Sequence, residues 1–445
     1  MSLYPDNFEA GGLMTEAVRT ARENGIVGAG GAAFPTHVKL ASKADVMIAN
    51  AAECEPLLYK DEEILRHFPD LFMKGLTIAA SAVGAQRIVI GIKDKHPDLV
   101  KMLRDRLPRS VEIGLLRDTY PSGDEFLLVR DLTGRQIPRG GIPIDVGTVV
   151  QNVETLYNLG AGAPLVEKFV TISGEVDEAL TLKVPIGMSW RNILQALRIG
   201  TEGKGFILGG PMMGTVIRNL GLPVTKADSG LVILPSGHSL LVKKSRTETA
   251  VRKIAYSCDQ CMRCSDLCPR DLLGHGVKPH RAMISVTMGA TEKLAWNRSA
   301  LYCCECALCT LYACPEDLDP FRVMVESKKQ LLRAGERPLK GHVENNPMYK
   351  YRRTPTKMLV RRLGLEEFVR PHRYIEKDLR PEELAIPLSQ HRGSPAVPVV
   401  RKGQKVEARE LIGEIPEGAL GSRLFSPLPA VVERVDNERI LLKVL

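Results

Sequence analysis

The chain has 445 residues, enough for several domains, and its 44% hydrophobic and 25% charged residues are ordinary values for a globular protein. Its apolar runs, such as residues 76–85, are far shorter than the roughly 20 residues of a membrane-spanning helix, and no signal-peptide pattern opens the sequence. We therefore expect a cytoplasmic protein without direct membrane insertion. The net charge of +9 is dense only at residues 349–364, which lack aromatic recognition motifs, so we expect a solvated face or a docking patch for an acidic partner and no nucleic acid.

Helix and strand signals alternate over residues 1–165, the first predicted domain. A helix is predicted at residues 15–24, with Thr15 as its cap and Gly25 as its stop, followed by helices at residues 69–84 and after Pro97. Apolar strand patterns occupy residues 45–50, 87–92 and 111–116. Alternating strands and helices predict a Rossmann-like α/β domain with a parallel sheet covered on both faces.

Four further segments follow, so the fold class is multidomain, α/β plus α+β. Residues 166–244 read as a hairpin, a helix at residues 190–197 and a glycine-rich turn, which resembles a β-grasp (SLBB-like) module. Residues 245–335 are mostly helical and carry the cysteines, and residues 336–380 are a basic, proline-punctuated linker or wrapping segment. Residues 381–445 resemble a barrel-sandwich hybrid of the lipoyl or biotinyl type. Because no lysine lies between Lys405 and Lys443, we expect a structural β module and no swinging arm.

Nine of the ten cysteines lie between Cys258 and Cys314, and such clustering in a cytosolic chain indicates metal. The first cassette has the spacing C-x2-C-x2-C-x3-C followed by proline, which is the bacterial ferredoxin run for a [4Fe–4S] cluster. Its four cysteines are Cys258, Cys261, Cys264 and Cys268. The zinc alternative prefers two C-x2-C pairs separated by a dozen or more residues, so iron–sulfur is favoured.

The second cassette, YCCECALCTLYACP, holds one cysteine too many and one gap that is too long. Cys303, Cys306 and Cys309 keep the x2 spacing, whereas Cys314 follows after four residues instead of three. Cys304 is interpreted as the spare, a small buried thiol. The bacterial ferredoxin rule predicts crossed pairing, with local pairing as the alternative. Crossed pairing gives one cluster Cys258, Cys261, Cys264 and Cys314, and gives the other Cys303, Cys306, Cys309 and Cys268.

The glycine-rich stretch GIVGAGGAAFP follows a helix, and alone it indicates no more than a tight turn. It is followed in order by NAAECEP, SGDEF and QNVET. This series resembles the flavin-binding subunit of respiratory complex I and the C subunit of Rnf-type complexes. The resemblance implies an FMN and NADH site in the first domain.

The resemblance also implies roles for matching residues. Around the flavin phosphate it places small residues and one cation, namely Gly28, Gly30, Gly31 and Lys39. It places Phe34 against the nicotinamide or adenine, although such a residue alone is more often core. Around the isoalloxazine and the NADH ribose it places polar residues, namely Asn50, Glu53, Asp124, Glu125 and Asn152. Cys54 lacks a partner cysteine and is interpreted as a buried structural thiol.

The order of the modules differs from that of the Rnf protein, whose barrel-sandwich segment is N-terminal. A C-terminal barrel-sandwich segment resembles the cobalamin reductases of propanediol-utilisation microcompartments. That resemblance implies electron flow from NADH through FMN and two [4Fe–4S] clusters to cobalamin in 1,2-propanediol degradation. It also implies a cobalamin adenosyltransferase and microcompartment shell proteins as partners, inside a bacterial microcompartment. The alternatives are an electron-entry subunit of a membrane Rnf-type NADH:ferredoxin complex and a redox-inert scaffold stapled by its clusters. No motif indicates a corrin site.

Overall fold

A parallel four-stranded sheet organises the first domain. The computed structural model describes residues 15–247, 255–287, 297–344 and 346–445. The strands of this region are β1 (Val46–Ala51), β2 (Arg87–Lys93), β3 (Val111–Leu116), β4 (Thr119–Tyr120) and β5 (Thr148–Asn152). The sheet order is β3-β2-β1-β5 and every pair is parallel, as the sequence predicts. β1 and β5 therefore end at the same edge, where NAAECEP and QNVET begin.

Seven helices surround this sheet in the described residues. They are α1 (Glu16–Glu23), α2 (Thr36–Leu40), α3 (Lys60–His67), α4 (Pro69–Val83), α5 (Pro97–Arg106), α6 (Glu125–Thr133) and α7 (Val153–Ala161). The Thr15 side chain caps α1, and Gly25 adopts a φ of +61° after it, as predicted. α4 and α7 cross in close contact, because a Cβ at Gly75 would lie 1.8 Å from the Leu156 carbonyl oxygen. Only glycine permits this approach, which fixes the start of α7 against the sheet.

A six-stranded mixed sheet forms the second module. Its elements are β6 (Glu167–Gly174), β7 (Ala179–Pro185), α8 (Trp190–Ala196), β8 (Lys204–Leu208), β9 (Thr215–Ile217), β10 (Gly230–Pro235) and α9 (Ser239–Lys244). The predicted hairpin is present as the antiparallel pair β6–β7, and the fully buried Trp190 anchors α8 in the core. The β-grasp (SLBB-like) assignment stays a prediction.

Short helices carry the cysteine cassettes, in agreement with the predicted helical region. They are α10 (Arg263–Asp266), α11 (Pro269–Leu272), α12 (Pro279–Thr287), a 3-10 helix (Arg298–Tyr302), a π-helix (Cys309–Ala313) and α13 (Pro320–Arg333). Buried leucine, methionine and alanine side chains of these helices pack together with Cys268 and Cys314.

Residues 336–380, called the strap below, run across the three preceding modules. The strap contains β11 (Thr354–Pro355), α14 (Thr356–Arg362), a 3-10 helix (Glu366–Phe368) and β12 (His372–Tyr374). β11 pairs with β4 of the first domain, and β12 joins the six-stranded sheet beside β7.

The basic run of the strap differs in part from its interpretation as a solvated face or a docking patch. Arg352 forms an ion pair with Asp266 at 3.0 Å, and Arg353 forms one with Asp131 at 2.9 Å. These two arginines therefore bind the strap to the rest of the molecule.

The C-terminal strands form two small sheets. They are β13 (Glu383–Pro387), β14 (Val397–Pro398), β15 (Lys405–Val406), β16 (Leu411–Glu414), β17 (Leu424–Phe425), β18 (Ala430–Val435) and β19 (Arg439–Val444). The sheet orders are β13-β19-β18-β15 and β14-β16-β17. Their buried aliphatic residues are continuous with the core of the six-stranded sheet. Within the described ranges, no helix has the length and apolar character needed to cross a bilayer.

Candidate functional site: a flavin pocket joined to two cysteine cassettes

The glycine-rich loop lies against the start of α7. The Ala29 backbone N–H donates to Thr155 Oγ1 at 2.9 Å, which ties the loop to the first turn of that helix. A Cβ at Gly30 would meet only Asn152, at 3.8 Å, and a Cβ at Gly31 would meet nothing within 4 Å. The two glycines therefore border open space beside a helix N-terminus, where backbone N–H groups and the helix dipole favour a phosphate.

Two other loop residues hold the loop's shape and its aromatic edge. The Gly28 N–H donates to the Phe34 carbonyl oxygen at 2.8 Å, so the loop closes on itself between these residues. The Phe34 side chain is half-buried at the end of the loop. Gly31 has a φ of +96°, a conformation that favours glycine.

Lys39, Glu125, Asn50 and Asp124 meet near the carboxyl end of β1. Lys39 Nζ donates to Glu125 Oε1 at 2.6 Å and to the Val150 carbonyl oxygen at 3.2 Å. Asn50 Nδ2 donates to the Gly123 carbonyl oxygen at 2.9 Å, next to Asp124. Asp124 caps α6 by accepting from the Phe126 N–H at 3.0 Å. The structure thus brings these four predicted residues to one sheet edge.

Asn152 belongs to a buried polar network whose other members the sequence reasoning did not single out. Asn152 Nδ2 donates to Asp61 Oδ2 at 2.7 Å, while its Oδ1 caps α7. Lys60 lies 2.5 Å from Asp61 and 3.3 Å from Glu154, and Lys168 pairs with Glu154. Glu154 lies inside QNVET, so the motif held that signal. The network fixes Asn152 at the pocket because its buried charges are paired.

Glu53 combines burial with an unsatisfied oxygen. Its Oε2 is buried and has no hydrogen-bond partner among the described residues. Burial, followed by the nearby Asp61 charge, raises the pKa of Glu53 to about 8. The side chain lines a cavity of about 130 Å³ together with its neighbour Cys54. Burial raises the pKa of Cys54 to about 12, which is consistent with an inert structural thiol.

The two cassettes repeat one backbone conformation. Gln260 and Met262 in the first, and Glu305 and Ala307 in the second, all have φ values between 58° and 62°. Gln260 and Glu305 each lie two residues after a cysteine, and that cysteine is Cys258 in one loop and Cys303 in the other. The N–H groups of Cys258 and Cys303 also donate to equivalent carbonyl oxygens, of Ala255 and Ala300, at 3.1 Å each. Cys303 therefore corresponds to Cys258, and Cys304 corresponds to Asp259.

A π-helix accommodates the additional residue before Cys314. In the first cassette the segment before Cys268 contains the α-helical turn α10, whereas Cys309–Ala313 is a π-helix in the second. A π-helical turn holds one more residue than an α-helical turn. Cys268 and Cys314 then reach the same extended conformation before their prolines, with ψ values of 120° and 119°. The long gap is thus compatible with the same ligand geometry.

The thiols gather in two groups that cross between the cassettes. Burial raises the pKa of Cys264 to about 12, with further increases from three nearby thiols, Cys258, Cys314 and Cys261. Burial also raises the pKa of Cys268 well above its usual value, and the neighbouring thiols that add to it are Cys304 and Cys303. Cys314 of the second cassette thus lies with the first, and Cys268 lies with the second.

No described group of His, Cys, Asp and Glu side chains is arranged to hold a single metal ion. The ligands of a [4Fe–4S] cluster need not converge on one point, because each cysteine binds a different iron atom. All ten cysteines are free thiols in the structure. The cassette loops and the crossed thiol groups therefore fit two clusters better than one mononuclear site.

Two contacts that the sequence did not predict join the pocket to the second cassette. Arg270 Nη2 donates to Asp124 Oδ2 at 2.7 Å, and the Tyr120 hydroxyl donates to the Cys306 carbonyl oxygen at 2.8 Å. Asp124 and Tyr120 flank SGDEF, while Arg270 and Cys306 belong to the cysteine region. Their sequence separations, 146 and 186 residues, left no local signal.

A third contact joins the pocket to the six-stranded sheet. Glu55 of NAAECEP accepts from the N–H groups of Met212 and Met213 at 2.9 and 2.7 Å. A Cβ at Gly210 would lie 2.2 Å from the Glu55 carboxylate, so this glycine permits the contact. The GGPMMG turn is thereby held at the edge of the pocket.

Comparison with known proteins supports the same division of the chain. The Nuo51 FMN-binding domain family matches residues 21–161, and the 4Fe-4S dicluster domain family matches residues 257–319. The RnfC barrel sandwich hybrid domain family matches residues 369–442. The predicted flavin domain, the cysteine region and the C-terminal barrel-sandwich module are confirmed at this level.

Relatives extend the likeness to nearly the full length. Cobalamin reductase PduS of Citrobacter freundii is 37% identical over 436 residues, 96% of this chain and 95% of that protein. Cobalamin reductase PduS of Salmonella typhimurium is 37% identical and covers 99% of this chain and 97% of its own. The RnfC-type component of the proton-translocating ferredoxin:NAD(+) oxidoreductase complex of Clostridium ljungdahlii is 36% identical over 58% of this chain and 56% of its own. The chain belongs to the PduS family of cobalamin reductases.

Proposed function

We propose that the protein is an NADH-dependent flavin iron–sulfur oxidoreductase that passes electrons to cobalamin. The observation that carries the proposal is the direct connection of a flavin-type pocket to a cysteine cassette, through Arg270–Asp124 and Tyr120–Cys306. A bound FMN supplies the step from a two-electron hydride donor to one-electron carriers, which the clusters then relay. The full-length likeness to the PduS proteins supports cobalamin as the acceptor.

We assign the flavin phosphate to the loop of Gly28, Gly30 and Gly31, with the N-terminus of α7 beneath it. Lys39, 17% exposed, offsets the phosphate charge and orients Glu125. Phe34 is placed to stack on the nicotinamide or adenine of NADH. Asn50, Glu53, Asp124, Glu125 and Asn152 surround the isoalloxazine and the NADH ribose.

We assign the clusters to the crossed thiol groups. One [4Fe–4S] cluster is held by Cys258, Cys261, Cys264 and Cys314, and the other by Cys268, Cys303, Cys306 and Cys309. The repeated backbone of the two loops supports Cys303 over Cys304. The chain's part in electron transfer is to exclude water from the thiols, four of which are only 8% exposed. Those four are Cys264, Cys268, Cys306 and Cys314.

The test is a reductive titration of anaerobically purified protein reconstituted with FMN and iron. NADH should bleach the flavin and cluster absorbance, and added cob(III)alamin should then yield cob(II)alamin and cob(I)alamin spectra. Failure of NADH to bleach either chromophore would contradict the oxidoreductase and favour a redox-inert scaffold.

The second candidate is an electron-entry component of an Rnf-type complex, favoured by the likeness to the Clostridium ljungdahlii protein. Its signature in the same titration is rapid reduction of a ferredoxin with no change in the cobalamin spectrum. The protein would then travel with the membrane fraction. Cobalamin reduction instead predicts sedimentation with microcompartment shells, beside an adenosyltransferase that captures cob(I)alamin during 1,2-propanediol degradation.

A further inference from the structure

Arg270 is a buried cation with one donor left over. It follows Cys268 and Pro269 at the start of α11, and its side chain is 9% exposed. Its Nη2 donates to Asp124 Oδ2 at 2.7 Å, and its guanidinium carbon lies 3.5 Å from the centre of the Phe126 ring. Its Nε is buried and has no partner in the part of the chain that the structure describes. A buried unpaired N–H on a charged group is costly, so the site lacks an acceptor.

The missing acceptor has the character of a cluster sulfur. The Cys304 and Cys303 thiols lie beside the guanidinium, and Cys268 is two residues away in the chain. A [4Fe–4S] cluster with four thiolate ligands is an anion whose sulfur atoms accept hydrogen bonds. Asp124 supplies one negative charge to Arg270, and the cluster supplies both further negative charge and the absent acceptor.

The same arginine touches the flavin pocket through Asp124, which caps α6. Tyr120 makes a parallel connection, from the pocket to the Cys306 carbonyl oxygen. Both connections reach the group of Cys268, Cys303, Cys306 and Cys309. The other group includes Cys261, which is exposed to solvent. The two groups therefore differ: one faces the flavin and the other faces the surface.

Resting on the proposed function, we propose that Arg270 is a positioning residue that donates its Nε–H to the cluster of the second thiol group. The added hydrogen bond and positive charge stabilise the more negative, reduced form, so they raise that cluster's reduction potential. This cluster is then the first to accept an electron from the flavin. The cluster that includes Cys261 is the exit toward the external acceptor.

The test is a dithionite titration followed by EPR, which reports the two cluster potentials without using NADH. Arg270→Gln should lower the potential of one cluster and leave the other unchanged, at an unchanged iron content. Arg270→Lys, which keeps the charge and loses Nε, should shift the same potential by less. The matched control is Arg263→Gln, an exposed arginine of the first cassette whose charge is screened by solvent, which should shift neither potential.

Asp124→Asn provides a second test if Arg270→Gln fails to assemble its clusters. It leaves Arg270 without its carboxylate partner, so the same potential should move upward. Unchanged potentials in the variant that assembles would overturn the role of Arg270. That result is distinct from failure of the proposed function, in which the wild-type protein takes up no iron or is not reduced by NADH.

Discussion

At the scale of single residues, neighbours in the chain have different positions in the fold. Cys303 lies two residues before Glu305, whose left-handed backbone matches that of Gln260 after Cys258. Cys304 occupies the place of Asp259, a residue that the first cassette does not need as a ligand. Cys304 nevertheless lies beside Arg270 and Cys306, close to the second thiol group. Proximity alone does not make it a ligand, and the loop register decides between the two cysteines.

Cys304→Ser should therefore keep the full iron content and both EPR signals, whereas Cys314→Ser should lose one cluster. The reason is that Cys314 ends the π-helix in the ligand conformation and Cys304 lies between ligands. Iron analysis and low-temperature EPR of the reduced proteins measure the outcome, with Cys54→Ser as the control thiol outside the cassettes. Loss of iron in Cys304→Ser with retention in Cys314→Ser would overturn the assignment.

Glu53 should make stability depend on pH in a defined window. Its pKa in the folded protein is raised to about 8, so between its usual value near 4.5 and about 8 the folded state binds more protons than the unfolded state. Its contribution to the free energy of unfolding is present at low pH and is lost as the pH rises through this window. Glu53→Gln removes the titration, so its stability relative to wild type should increase from pH 5 to pH 8. Urea unfolding at several pH values measures this.

The control for this prediction is Glu23→Gln, an exposed carboxylate on α1. Its stability difference from wild type should stay flat over the same pH range. A flat difference for Glu53→Gln as well would show that Glu53 is ionised in the folded protein.

At the scale of elements, the sequence predicts what depends on local pattern. The bounds of β1, β2 and β3 agree with the predicted strands within one residue, because apolar runs between helical periods mark buried parallel strands. The four-residue gap before Cys314 also signalled an irregular turn, which is the π-helix. The pairing of β11 with β4 involves two residues on each side, too few to show a period. Contacts such as Arg270–Asp124 depend on how modules dock, and no local pattern carries them.

Gly31→Ala should weaken FMN retention by roughly ten-fold, since an alanine at a φ of +96° costs about 1–2 kcal/mol. A Cβ there meets no atom, so the loop relaxes when empty and must be strained again to hold the flavin. Fluorescence titration of the apoprotein with FMN measures the loss. Gly134→Ala is a matched control, because that residue also has a positive φ and open surroundings but caps α6 away from the loop. Equal FMN affinities for the two variants would argue against the loop as the phosphate site.

At the scale of the whole molecule, a few buried contacts keep the modules in register. Lys226, between β9 and β10, is 2% exposed, and its Nζ donates to the carbonyl oxygens of Gly25 and Arg423 at 2.8 and 2.6 Å. Its third acceptor is Ser422 Oγ at 3.0 Å. One side chain thus joins the glycine loop, the six-stranded sheet and the C-terminal module. The strap adds a second link, through β11 and β12. Correct docking of the modules positions the flavin pocket against the cassettes.

Lys226→Met should loosen the C-terminal module from the rest of the protein. Methionine fills the space but leaves three buried acceptors without their donor, at a cost of about 1–3 kcal/mol each before relaxation. We expect a lower melting temperature and early release of the C-terminal module in limited proteolysis. Lys402→Met, an exposed lysine of the same module, is the control and should change neither.

The pH dependence of this variant separates a docking role from simple loss of packing. Burial lowers the pKa of Lys226 to about 7, so above that pH the unfolded state binds a proton that the folded state lacks. Wild-type stability therefore gains from Lys226 as the pH rises from about 7 toward the usual lysine value, and the methionine variant has no such gain. The difference in unfolding free energy between the two proteins should widen from pH 7 to pH 9. A constant difference would mean that Lys226 stays charged in its three-acceptor site, with the hydrogen bonds alone holding the modules together.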